Sequence, residues 1–213
     1  MRIAVCLAVS ALLIAGIYAS PLELFSKVYL LSAFVVKHLL LNLAVPLLLV
    51  RGLPLSIARR VRVPAPIAWV AAAVSLAIWY VPSLYNAGLR DPRVEAVQAI
   101  SWVLGGILLF LPLFKPAVAN RLKPVPPAII YLFAMAVVAS VLGLRLATLP
   151  PGLYGSFLAP RDPLHILDDL QNFWHFDPQT DQQTAGLLLW ISSCGVFLSS
   201  VMLMFYRMYK SER

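Results

Sequence analysis

The chain has 213 residues, 61% of them hydrophobic and only 12% charged, and carries a formal net charge of +8. A soluble domain of this size has no use for so much apolar side chain, which excludes a soluble enzyme or binding module. In a soluble protein the basic excess would point to nucleic acid. Here the basic residues lie in short loops beside apolar runs of about 20 residues, the length that crosses a bilayer as a helix. They therefore read as orientation signals, with membrane lipid rather than nucleic acid as the partner.

The chain reads as an all-α, polytopic transmembrane helix bundle forming a single domain over residues 1–213. Spans are expected at about 3–19, 29–50, 65–82, 97–114, 126–147 and 184–206. The first segment, "MRIAVCLAVSALLIAGIYAS", reads either as a retained span or as a signal peptide cleaved after Ala19. Both readings deliver residue 20 to the outside. Pro64 and Pro66 punctuate the entry to the third span, and Pro124, Pro126 and Pro127 the entry to the fifth.

Arg51, Arg59, Arg60 and Arg62, then Lys115, Arg121 and Lys123, then Arg207, Lys210 and Arg213 fall on the same side as Arg2. The other side holds Lys27, Arg90, Arg93 and Arg161 together with every acidic residue except Glu212. The positive-inside rule places both termini in the cytoplasm and the acidic 148–183 loop outside.

This orientation fixes the depth of the polar side chains. Lys37 and His38 lie about nine residues, or about 13 Å, into the second span from its outer end. Trp79 and Tyr80 close the third span at that face, Gln98 opens the fourth there, Arg145 ends the fifth, and Asp181, Gln182 and Gln183 open the sixth. Ionisable groups inside a span are costly unless they face a bundle interior or a cavity, so Lys37 and His38 are site candidates. Lys37 also reads as an ammonium snorkelling outward, and His38 as interhelical glue. Asn42, one turn from His38, shares its face.

The outer loop adds His165 and His175 with Asp168, Asp169 and Asp177, in no recognised metal-ligand spacing. Its stretch "DPLHILDDLQNFWHF" has near-helical apolar period and reads as an amphipathic helix at the outer interface. Thr180 and Gln183 fit a capping box opening the sixth span, with Asp181 in its first turn; capping leaves Gln182 without a role. Cys6 and Cys194 sit in apolar segments and read as buried small side chains. The serines of the sixth span lack a nucleophile motif, and no enzyme is expected.

Three stretches carry a resemblance: "ASPLELFSKVYLLSAFVVKHLLLNLAVPLLLVRGLPL", "WYVPSLYNAGLRDPRVEAVQAISWVLGGILLFLPLF" and "DQQTAGLLLW". They resemble, in order, the SPL…HMxxHLLL…PLLLLGxP, WHLPxLYDAAL plus H-x-x-E-H, and DQQxAGLxMW patterns of the CtaG family of cytochrome c oxidase assembly factors. The chain departs from these patterns at the histidines. His38 matches the second histidine of the HMxxH pair, but Phe34 stands at the first. Tyr80 replaces the histidine of WHLP, and Glu95, Gln98 and Ala99 stand at the H-x-x-E-H positions.

The resemblance implies an assembly factor for a haem-copper (cytochrome c) oxidase, with copper as the cofactor handled at the outer face and oxidase subunits as partners. On that reading His38 is a metal ligand, supported by His175, His165 or Glu95. Asp181 and Gln182 stand behind it, and Gln183, Lys37, Asn42, Tyr80 and Gln98 complete the polar face. The alternative is a non-catalytic accessory subunit of a respiratory or electron-transfer complex that keeps the scaffold and has lost the metal site.

Overall fold

The computed structural model describes residues 2–54, 63–114, 125–155, 162–166, 168–173 and 177–211. Among these residues the structure is helical and contains no strand. In chain order the helices are α1 (Arg2–Ala19), α2 (Pro21–Tyr29), α3 (Leu31–Gly52), α4 (Ala65–Tyr80), α5 (Pro82–Arg90), α6 (Pro92–Phe114), α7 (Val125–Thr148) and α8 (Pro178–Ser211). Helices α3, α6, α7 and α8 are each long and apolar enough to cross a membrane. Two bent pairs, α1 with α2 at 56° and α4 with α5 at 74°, bring the candidate spans to as many as six.

Proline decides where several helices begin. Its fixed φ suits the first helical turn, where its missing N–H is not required. Pro21, Pro82, Pro92 and Pro178 each open a helix, and the first two of them follow the bends. Two spans therefore start earlier than hydropathy alone indicates. Helix α6 begins at Pro92, with the Asp91 carboxylate accepting from the Arg93 N–H at 2.8 Å, which puts Glu95 and Gln98 on the helix. Helix α8 begins at Pro178, where Asp177 accepts from the Thr180 N–H at 2.7 Å. That corrects the expected capping box: Asp177, not Thr180, caps this helix, and Gln183 is exposed.

Helix α3 contains a π-helical turn at Leu40–Ala44. Pro46 lacks the amide that would bond to the Asn42 carbonyl in a regular α-helix, and the wider turn absorbs the mismatch. Gly106 of α6 packs against that carbonyl and the Pro46 ring, where a Cβ has no room. A second close approach joins α7 to α8. A Cβ at Gly143 would lie 2.6 Å from the Gly186 carbonyl, and one at Gly186 would lie 2.5 Å from the Gly143 carbonyl.

The core forms two apolar clusters. One is largely aliphatic, around Leu76, Leu109, Leu132, Met135 and Phe197. The other, towards the end of the bundle that carries Asp181, is aromatic, around Phe34, Tyr80, Tyr85, Trp102 and Tyr154. The outward faces are apolar too: Ile130, Phe133, Val137, Val141 and Leu144 on α7 and Leu187, Ile191 and Met202 on α8 are exposed. Helices apolar on every side suit a lipid surround.

Of the expected amphipathic helix in the 148–183 loop, the described residues hold one short helical segment. Asp162 accepts from the Ile166 N–H and the Tyr29 hydroxyl, His165 adopts φ 53, and Asp169–Phe173 forms one π-helical turn. A left-handed residue ends a helical run, so no helix runs through His165. His175 and Trp174, and the basic residues Arg59, Arg60, Arg62, Lys115, Arg121, Lys123 and Arg161, lie outside the described residues.

Candidate functional site

Helices α3, α4 and α6 bring His38, Tyr80 and Trp102 together in the aromatic cluster. His38 is fully buried, and its Nδ1 shares a 2.6 Å hydrogen bond with the Tyr80 hydroxyl. Its ring stacks on the Trp102 indole, with centroids 4.5 Å apart and planes at 19°. Phe34 meets Trp102, Tyr85 and Tyr80 edge-on. The positions where the resemblance calls for histidines at 34, 38 and 80 thus converge in space, filled by Phe, His and Tyr.

Asn42 lies below this group and donates to the Trp102 carbonyl at 3.2 Å. His38 and Asn42 therefore hold one partner residue, by ring and by backbone. Tyr80 is itself anchored through its carbonyl, which accepts from the Tyr154 hydroxyl at 2.7 Å. Burial of Tyr154, offset in part by Arg145, pushes that phenol up to about 12. Beside Tyr80, Trp79 donates to the Ser101 hydroxyl at 2.7 Å, fixing the end of α4 on α6.

Three buried nitrogens here, His38 Nε2, Gln98 Nε2 and Trp102 Nε1, have no hydrogen-bond partner among the described residues. Copper and zinc sites take three or four nitrogen, sulfur or oxygen donors around one point. Among the described residues no group of three or more His, Cys, Asp or Glu is placed to hold a metal. Around His38 the neighbours are a phenol already bonded to it and apolar rings, a donor set that does not fit copper. His165 is exposed in the loop.

Lys37 lies on a different face from His38 and does not snorkel. Its ammonium meets Glu23 Oε2 at 2.6 Å and Glu95 Oε1 at 2.9 Å, and Lys27 closes the ring at 2.6 Å to Glu23 and 2.8 Å to Glu95. Two lysines and two glutamates alternate around this square, joining α2, α3 and α6 with no net charge. The Lys37 side chain is only 4% exposed, and its ammonium also lies 4.8 Å from the Tyr18 ring centroid. Glu23 and Lys27 escape a search for intramembrane polar groups because they precede the apolar run. Their signal is the helical i,i+4 Glu–Lys pair.

Asp181 and Gln182 have other tasks than His38. Leu30, the residue before α3, is extended and has no side-chain oxygen to cap the helix. Asp181 supplies that cap from α8: its carboxylate accepts from the Leu31 N–H at 2.6 Å and the Ser32 N–H at 3.0 Å. A carboxylate there also favours the positive end of the helix dipole. Gln182 Nε2 donates to the Leu146 and Leu149 carbonyls at 3.0 and 2.6 Å, closing the end of α7. His38 lies seven residues, or about 10 Å, further along α3 than Leu31. The expectation that Asp181 and Gln182 orient His38 is thus corrected; Tyr80 does so.

The family model for the cytochrome c oxidase caa3 assembly factor, Caa3_CtaG, matches residues 2–211, nearly the whole chain. The chain belongs to this family. The resemblance carried by the SPL, PLLLV and DQQ stretches thus extends across the whole helical bundle. No curated protein and no solved structure matches the chain.

Proposed function

We propose that this member of the caa3 assembly factor family is an integral membrane protein that assists maturation of a haem-copper oxidase as a metal-free scaffold. It sits in a bacterial cytoplasmic membrane with both termini inside and the acidic loop outside, in line with the distribution of arginine and lysine. Its partners are oxidase subunits, and it catalyses no covalent step of its own. The observation that carries the reading is the state of His38. Its Nδ1 is engaged by Tyr80, its ring is stacked on Trp102, and Phe34 fills the place of a second histidine. The face that would hold copper is a packed aromatic plug.

Metal analysis of the purified protein, paired with oxidase assays in a deletion strain, tests this. Far less than one copper per chain is expected, unchanged in His38→Ala, while the deletion strain loses mature oxidase and the wild-type gene restores it. Stoichiometric copper that disappears in His38→Ala would refute the metal-free part. Normal oxidase in the deletion strain would refute the assembly role.

A further inference from the structure

At the loop end of α7 a cleft of about 320 Å³ opens between α7 and the α4–α5 bend. Its walls are apolar, with Val74, Ile78 and Val81 on one side and Leu142 and Leu146 on the other. Arg145 lies on its rim and is exposed. The two phenols that border the cleft are turned to other work: Tyr154 donates to the Tyr80 carbonyl, and the Tyr80 hydroxyl is bonded to His38. The guanidinium is therefore the cleft's charged donor group.

A cation in the last turn of α7 complements the helix dipole, and that accounts for a basic residue at this position. It does not account for an apolar cleft beside it. Among the described residues all four ion pairs join Glu23, Lys27, Lys37 and Glu95, so no described carboxylate competes for Arg145. A guanidinium offers five N–H donors in a planar fork that matches phosphate oxygens two at a time. Val81 and Pro82, which open α5, lie on the same cleft and add the positive end of a helix dipole. From Val74 to Val81 the apolar wall runs about 10 Å along the helix axis. The site is thus cationic at its mouth and greasy along its length.

We propose that this cleft binds one anionic phospholipid, its phosphate on Arg145 and the start of an acyl chain between α4 and α7. A neutral ring compound such as a quinone leaves the guanidinium without a counter-charge, and a zwitterionic phospholipid brings a second cation beside its phosphate, so charge complementarity favours the anionic lipid. The inference rests on the membrane placement proposed above and not on the assembly role, and the two fail separately.

The test is native mass spectrometry of the full chain released from detergent micelles doped with phosphatidylglycerol or with phosphatidylcholine. The wild type is expected to retain one phosphatidylglycerol, with retention falling about tenfold in Arg145→Gln, the loss of one charge-assisted contact. Ala77→Phe, which narrows the cleft without changing charge, should lose it as well. Arg93→Gln, an equal change of charge at the same end of the bundle, should retain it. Monodisperse elution of each variant reports that it is folded. Equal retention of phosphatidylcholine, or undiminished phosphatidylglycerol in both Arg145→Gln and Ala77→Phe, would overturn the proposal.

Discussion

Asp181 and Gln182 are neighbours in sequence yet serve opposite ends of two different helices. The carboxylate can only accept and meets the free N–H groups of α3, whereas the amide NH₂ donates and meets the free carbonyls of α7. Exchanging the two residues should leave the α7 carbonyls facing a carboxylate that cannot donate, whereas an amide oxygen at position 181 can still accept from α3. Truncating Asp181 leaves two buried amides without their acceptor. Asp181→Ala should cost about 2 kcal/mol, Asp181→Asn less, and Gln183→Ala, at an exposed position, close to nothing. Thermal unfolding in detergent checks the order; an Asp181→Ala protein as stable as Gln183→Ala would remove the cap across helices. The sequence displays the capping residues here but not the helix they cap. Asp181 looks like a first-turn acid of its own helix because nothing local reveals that Leu30 leaves a distant helix uncapped.

Among the elements, start positions were legible to the extent that proline and aspartate mark them; the hydropathy spans missed the polar first turns that Asp91-Pro92 and Asp177-Pro178 announce, and the bent helices α2 and α5 as well. The π-helical turn in α3 was not legible, since Pro46 is compatible with a kink, a bulge or a break, and packing against Gly106 selects among them. Small residues in the spans read as helix packing without partners. The structure pairs Gly143 with Gly186 so closely that two backbones touch where side chains usually intervene. Gly143→Val should force α7 and α8 apart at a cost of about 1–3 kcal/mol. On the proposed scaffold role it should also lower oxidase maturation in the cell, because that role needs the α7–α8 seam intact. Gly195→Val, where nothing lies within 4 Å of an added Cβ, is the matched control. Equal losses from both substitutions would show that the contact is unimportant.

For the molecule as a whole, the gathering of polar groups at one end was readable from orientation and depth, and the structure divides them into three assemblies. An aromatic plug surrounds His38, an ion-pair square surrounds Lys37, and the Asp181–Gln182 clasp ties α8 to α3 and α7. The division is a matter of helix rotation, which the near-uniform hydropathy of these spans does not encode. Adjacent residues Lys37 and His38 consequently enter different assemblies. The square predicts an asymmetry between its two lysines. Lys37→Met leaves two carboxylates facing each other at a nearly dry corner and should cost about 3–5 kcal/mol. Lys27→Met, at the corner where the side chain is 40% exposed, should cost about 0–1 kcal/mol. Comparable losses in a denaturation series would mean that water reaches both corners alike.

The clasp also has a consequence in time. Asp181 follows Leu31 by 150 residues, so a chain made at about 5–20 residues per second has its second span in place for roughly 8–30 s before the cap exists. Throughout that interval the Leu31 end of α3 is an open set of amide donors, and the end of α7 joins it as an open set of acceptors. Both close when the final helix arrives. Synthesis order thus makes α8 the bolt of the bundle, and until it is shot those helix ends lack the partners that Asp181 and Gln182 later supply.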